Sequence, residues 1–361
     1  MSWIKSSLQN KYIMNAVYVF CAFIVFFIWV WTADSINTSF NGDTRSKLSD
    51  LINSTAQRPY VQRVFIPIAT RTIYQTIPTY WHESISHLFS HQSKIQKEMQ
   101  RLGWEEEYIP QYIIALTISL LFLLLFPFTM RSIVRIIYDT EEWIINVMPL
   151  LILLGLPQFY HVGTRYIYDF PALALFTLGF CFMFQKKWYY YYGIFIIGLT
   201  NKETMVLLIV PLAIIYYRKI SSKYYWGHLI AHGSLFIVIR GLITWYFRNN
   251  PGYNFAFHLF GNVRMLADLC TPQQLIMWSL VFILIAYHFK QKPIILQKAL
   301  LTTIPFIILT FLFGCIDELR DMYEVYPIFA IFILHTIFFS IFQFQYKDRK
   351  VSEGLSKISE Q

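Results

Sequence analysis

Charge is scarce in this chain: Asp, Glu, Lys and Arg together make up 14% of the 361 residues, where a soluble globular domain carries nearer a quarter. Long polar stretches are scarcer still. Only Thr32–Pro110 is long enough to form a sizeable piece outside an apolar environment, so a separate soluble domain is excluded elsewhere. Four cysteines, with no CxxC pair and no zinc-ligand spacing, rule out a thiol metal centre and a disulfide scaffold. Cys270 and Cys315 both fall near outer helix ends, but a bridge between them is not expected. Solenoid repeats and low-complexity tracts are absent.

What the sequence has instead is apolar runs of membrane-crossing length, recurring from end to end. They fall at about 13–32, 111–130, 143–161, 166–184, 188–200, 204–217, 226–247, 273–289, 298–315 and 323–343. The reading is an all-α polytopic transmembrane bundle of about ten helices, one transmembrane domain over 1–361, with an extracytoplasmic loop at 32–110. The first run is long and no A-x-A site follows it, so it reads as an uncleaved span rather than a signal peptide. The formal charge of +9 does not point to nucleic acid, because the basic residues sit in small clusters between apolar runs.

Those clusters set the orientation. With the N-terminus inside, the inner segments hold Lys5, Lys11, Arg131, Arg135, Lys186, Lys187, Arg218, Lys219, Lys223, Lys290, Lys292, Lys298, Lys347, Arg349, Lys350 and Lys357. The short outer loops hold only Arg165, Lys202, Arg248, Arg264 and Arg320. The positive-inside rule then puts both termini in the cytoplasm. Residues 188–200 are few for one span, and 188–217 could be a single broken helix. That would put Lys186 and Arg218 on opposite sides and invert half the pattern, so a short hairpin is expected, with Asn201, Lys202 and Glu203 below the outer surface. An ion pair there needs partners or a wet cavity.

Within the outer loop, Asp34–Ala56 reads as an irregular polar leader. Apolar residues at 61, 64, 65, 68, 69, 73 and 77 have helical spacing, and Ser84–Leu102 repeats it more weakly, so two interfacial amphipathic helices are expected. Polar residues recur at the outer helix ends: Asn41-Gly42-Asp43, Arg58 to Arg63, Arg165 with Tyr168-Asp169, Asn201-Lys202-Glu203-Thr204, and Asp317-Glu318-Leu319-Arg320-Asp321 with Glu324. Loops are polar in any case, but Asp169 and Glu203 lie at or inside apolar runs, where ionisable groups are functional candidates. Arg240 sits within the seventh run, either snorkelling to the interface or binding an anion in a cavity. His87 and His91 are four apart, yet His82-Glu83 and His87 miss the H-E-x-x-H spacing by one residue, so no metal is assigned. The many aromatics fit interface belts and lipid-facing packing rather than a cofactor. Sequons stand at Asn37 and Asn53.

The order of these features resembles the type C glycosyltransferases (GT-C), polytopic enzymes that take a sugar from a polyprenyl-phosphate carrier on the outer face. It is similar, further, to a group of bacterial membrane proteins of that type. Their order is an early Gly-Asp, R-P-[FY]-x-x-R-x-x-x-P, Y-D-x-P-A-L, N-[KR]-E-T and a late E-L-R. Here stand Gly42-Asp43, Arg58-Pro59-Tyr60 with Arg63 and Pro67, Tyr168-Asp169-Phe170-Pro171-Ala172-Leu173, Asn201-Lys202-Glu203-Thr204 and Glu318-Leu319-Arg320. The match spans most of the chain, and each motif alone is short.

The resemblance implies a bacterial inner-membrane glycosyltransferase whose partners are the bilayer, a lipid-linked sugar donor and a glycan, lipid or protein acceptor. It implies an essential acid early in the first loop, matched by Asp43, with Asp34 the alternative. The loop has no Asp-x-Asp pair, so metal dependence does not carry over, and no cofactor is expected. A phosphate leaving group needs charge stabilisation rather than a proton, so one carboxylate suffices as general base, with inversion. Arg58, Arg63, Lys202, Arg240 and Arg320 are candidates for the phosphate, and Asp169, Glu203, Tyr168 and Glu318 for orienting the sugar or pairing with those cations. The competing classes are a transporter or flippase, which predicts inverted repeats not evident here, a polymerase or ligase, and a non-enzymatic assembly factor.

Overall fold

The computed structural model describes residues 7–32, 39–90, 93–159, 165–255, 257–269, 271–316 and 318–348. Asp34, Asn37, His91, Cys270 and Asp317, all singled out above, lie outside them. Apart from a two-residue antiparallel pairing of Tyr138–Asp139 with Lys347–Asp348, the regular structure is helical. In chain order the longer helices are α1 (Lys11–Trp31), α2 (Leu48–Asn53), α3 (Phe65–Thr76), α4 (Thr79–Ser90), α5 (Ser93–Leu102), α6 (Ile109–Ile137), α7 (Glu142–Gly155), α8 (Asp169–Phe184) and α9 (Trp188–Asn201). They continue as α10 (Ile209–Tyr216), α11 (Ser222–Tyr246), α12 (Leu259–Leu269), α13 (Pro272–Ala286), α14 (Ile294–Leu300), α15 (Thr303–Phe313) and α16 (Tyr326–His335).

Among the described residues four helical stretches are long and apolar enough to cross a membrane: Lys11–Trp31, Glu106–Ile137, Ser222–Tyr246 and Ile294–Phe313. The other six apolar runs form shorter helices, including Glu142–Gln158, Asp169–Phe184, Glu203–Tyr216, Leu275–Ala286 and Tyr326–Ile341. At 1.5 Å per residue, helices of this size cover roughly 20–25 Å, short of a hydrocarbon core of about 30 Å. Irregular turns cut them: a 3-10 segment opens the run at Glu203–Leu208, and a π segment, Thr336–Ile341, closes the last.

The helices run alternately between two ends. At one end Arg165 donates to Thr32 Oγ1 (3.0 Å), Asn201 to the Tyr168 carbonyl (3.1 Å), Arg240 to the Leu199 carbonyl (3.4 Å) and Asn262 to the Phe311 carbonyl (2.8 Å). At the other, Asn146 donates to the Leu8 carbonyl (2.7 Å), Tyr138 meets His335 (3.0 Å), Tyr192 meets His228 (2.8 Å) and Lys298 reaches the Ile214 carbonyl (3.4 Å). The expected hairpin is present. Lys202 has extended backbone (φ −153°, ψ 138°), and the chain then doubles back, so that the Tyr216 hydroxyl donates to the Met183 carbonyl (2.6 Å) and its ring stands 5.3 Å from Trp188. At the centre lies α8, apolar on every side and buried along almost all its length, as a helix without a polar face must be.

The loop before α6 is more ordered than its polarity suggests. Asp34–Ala56 was expected to be irregular, yet Leu48–Asn53 is helical with Leu48, Leu51 and Ile52 buried. Asn41 holds it down: its Nδ2 donates to the Gly103 carbonyl (2.8 Å) and Tyr112 hydroxyl (3.1 Å), and its Oδ1 accepts from the Leu48 amide (2.8 Å). In place of the two helices expected there are three, because the second apolar pattern divides between α4 and α5. In α3, Ile66, Pro67 and Thr70 are buried while Ile68 and Ile73, two members of the apolar spacing, are exposed, so the buried face is offset from the stripe that the spacing marks. The aromatics do more than face lipid: Tyr18, Trp29, Tyr112, Tyr138, Tyr168, Tyr191 and Tyr216 are among the most buried large side chains.

Candidate functional site

Motifs far apart in sequence meet at the loop end of the bundle. Asp43 stands two residues after the Asn41 anchor. Arg45 grips it as a fork: Nε donates to Oδ1 (3.0 Å) and Nη2 to Oδ2 (2.9 Å), while the Arg45 amide donates to Oδ1 (2.9 Å). The Tyr166 hydroxyl donates to Oδ2 (3.2 Å). Burial pushes the Asp43 pKa up, but the Arg45 hydrogen bonds and charge, helped by Tyr166, win and hold it below the usual carboxylate range.

Tyr166 is one rung of an aromatic ladder. Its ring stacks on Tyr60 (5.7 Å, 19°) and on Tyr168 (5.0 Å, 11°). Arginines lie against the ladder: Arg45 5.5 Å from the Tyr60 centroid, Arg63 5.6 Å from Tyr60 and 4.2 Å from Tyr168, and Arg320 4.2 Å from Tyr166. Tyrosine faces attract cations and hold planar guanidinium groups flat.

Carboxylates complete the cluster. Glu203 pairs with Arg63 (3.2 Å) and Arg240 (3.5 Å), and not with its neighbour Lys202. Lys202 turns instead to Glu324 (3.0 Å), whose same oxygen accepts from Thr204 (2.5 Å). Arg320 lies 3.9 Å from both Asp169 and Asp321 and pairs with Glu318. Asp169, the first residue of α8, accepts from the Tyr166 amide through Oδ2 (3.1 Å).

Two candidate cations serve chiefly as struts. Arg240 is buried on α11 and donates to the Gln62 carbonyl (3.0 Å) and Gln62 Oε1 (3.2 Å), so it ties the loop to α9 and α11. Arg58 donates to the Gly252 carbonyl (2.7 Å) and lies 3.5 Å from Asn254 Oδ1, docking the segment after α11. Around the cluster several buried atoms have no hydrogen-bond partner among the described residues: Tyr168 Oη, Asp169 Oδ1, Asn201 Oδ1, Glu324 Oε2 and the Nε atoms of Arg58, Arg63 and Arg320.

Of the residues singled out from the sequence, Asp43, Arg58, Arg63, Tyr168, Asp169, Lys202, Glu203, Arg240, Glu318 and Arg320 stand in or beside one network. Sequence reasoning missed Arg45, Tyr166 and Asn254. The signal for Arg45 was its place two residues after Asp43, where one side chain can reach back to the other. Tyr166 and Tyr168 stand either side of Ile167 in a turn in which the Asp169 amide donates to the Tyr166 carbonyl (3.0 Å), and their rings stack. Elsewhere, His82 stacks on Tyr74 (3.9 Å), Asn53 is exposed and donates to the Tyr108 hydroxyl (2.6 Å), and among the described residues no His, Cys, Asp and Glu group is placed to hold a metal ion.

Fold and site together define a class: an all-helical membrane protein with a buried arginine–carboxylate–tyrosine cluster at one end of its bundle. No family model, curated protein or solved structure matches the chain.

Proposed function

We propose that the protein is a GT-C-like glycosyltransferase that moves a sugar from a polyprenyl-phosphate donor to a hydroxyl acceptor on the outer face of a bacterial inner membrane. In this reading all ten apolar segments sit in the bilayer, the shorter ones packed in the middle of the bundle, with both termini cytoplasmic. The basic residues at the end away from the cluster support that orientation. The observation that carries the reading is the meeting of Gly42-Asp43, Arg58–Arg63, Tyr168-Asp169, Asn201–Thr204 and Glu318–Arg320 in one network beneath the loop.

Asp43 accepts the proton of the acceptor hydroxyl. The acceptor oxygen bonds to the anomeric carbon as the bond from that carbon to the phosphate oxygen breaks, and the phosphate leaves with the electron pair. Arg63, 4.2 Å from the Tyr168 ring centroid, and Arg320, 4.2 Å from that of Tyr166, receive the negative charge. Arg58, Lys202 and Arg240 complete the positive field, while Tyr168, Asp169, Glu203 and Glu318 orient the sugar and the arginines.

The test uses purified protein in lipid with polyprenyl-phosphate-linked sugars. Transfer is expected, and Asp43→Asn is expected to lower turnover at least a hundredfold with folding intact. Wild-type turnover in that variant removes Asp43 from the chemistry, and absence of transfer from any such donor by the folded wild type removes the enzyme reading.

A further inference from the structure

We infer that Arg45 is an anion-binding latch: a phosphate ester reaching the site takes its guanidinium away from Asp43 and so frees the carboxylate. The inference rests on the reading of this end as a phosphate site and deepens it; it does not require that transfer occur.

The geometry is that of an exchangeable pair. Arg45 and Asp43 share a two-pronged contact of 2.9 and 3.0 Å, the same fork that a guanidinium offers to two phosphate oxygens. The partners differ in freedom. The Asp43 side chain is 11% exposed and the Arg45 side chain 51%, so the arginine is the one placed to meet an arriving anion. The Tyr60 face beside it gives the guanidinium a surface in either position. Asp43 keeps its Tyr166 hydrogen bond when the arginine leaves, so it stays in place.

The exchange changes the chemistry of Asp43. Arg45 and Tyr60 from the loop and Tyr166 ahead of α8 face it, and among the described residues Arg45 is the one cation in contact with it; Arg63 and Arg320 lie against the tyrosine rings. A carboxylate bonded to a guanidinium is a weak proton acceptor, and one left with the Arg45 amide and the Tyr166 phenol is a better one. Without substrate the site therefore holds its base quiet, and the anion that brings the sugar also brings the base into use.

The experiment follows the titration of Asp43 by carbon NMR of carboxyl-labelled aspartate in lipid nanodiscs, with Asp43→Asn identifying the resonance. The probes are inorganic pyrophosphate and, separately, an isoprenyl monophosphate in the nanodisc. Either probe is expected to move the Asp43 titration to higher pH, and the one that acts tells a free anion from a lipid-borne one. Arg45→Gln is expected to raise the titration without any probe, to abolish the further shift and to weaken probe binding at least tenfold. Arg45→Lys, which keeps the charge but not the fork, should fall between. An Asp43 titration that neither probe moves in the wild type overturns the inference, whether or not Arg45→Gln folds. Because no sugar is transferred, a shift without turnover would leave the latch standing and sink the transferase, and turnover without a shift would do the reverse.

Discussion

At the level of single residues, the pair of Lys202 and Glu324 is the most exacting arrangement in the molecule. Both side chains are almost wholly buried, at 6% and 0% exposure, and they stand 3.0 Å apart. Removing one partner strands a charge, at about 3–5 kcal/mol, whereas removing both can be close to neutral. Lys202→Met alone, and Glu324→Leu alone, should each lower the unfolding temperature sharply in detergent, while the double variant recovers most of the loss. Equal losses in all three would mean that the pair does not act as a unit. The sequence singled out both Lys202, as a charge between two apolar runs, and Glu324, at an outer helix end, but not that the two pair. Glu324 is 122 positions further on, and only folding decides between it and the adjacent Glu203. Arg240 was legible in the same partial way: a charge within an apolar run had to be tied to something, and the structure supplies Gln62 and Glu203.

Among the elements, the loop between α1 and α6 shows best what pattern can and cannot reveal. Helical spacing located α3, but the residues that it buries, Ile66, Pro67 and Thr70, are not those that carry the spacing. The stretch before it reads as irregular because its order comes from a few long-range hydrogen bonds to Asn41 rather than from any period. The same holds for its contact with the segment after α11, where the Arg58 amide donates to the Pro251 carbonyl (2.8 Å) and the backbone of Arg58 bridges to Gly252. Gly252 has φ +89°, and a Cβ there would fall 2.6 Å from the Arg58 carbonyl oxygen. Gly252→Ala should therefore detach this segment: amide exchange across 55–63 should quicken at least tenfold while exchange in α6 and α8 stays as it was. Unchanged protection would mean that the loop is held by Asn41 and Arg240 alone.

For the molecule as a whole, the alternation of helices was the most legible feature, since basic clusters recur at every second turn. The lengths of the buried helices were not, because apolar composition does not say where a 3-10 or π segment will interrupt a run. Orientation is open to a direct check. With the native cysteines replaced, Ser221→Cys at the basic end and Asn249→Cys at the loop end are both exposed positions. An impermeant thiol reagent added to intact cells should label Asn249→Cys and spare Ser221→Cys until the membrane is opened. The opposite pattern would place the cluster in the cytoplasm and rule out an outer-face reaction.

The central claim is that the arginine–tyrosine cluster holds the phosphate of a lipid-linked sugar. A structure in nanodiscs, determined with an unreactive polyprenyl-phosphate sugar analogue, tests it most directly. The account predicts the phosphorus within hydrogen-bonding reach of Arg63 or Arg320, with Arg45 drawn off Asp43 and the anomeric carbon facing the Asp43 carboxylate. A phosphate bound at the opposite end, among Arg131, Arg135 and Lys298, with the Arg45–Asp43 fork intact, would contradict it.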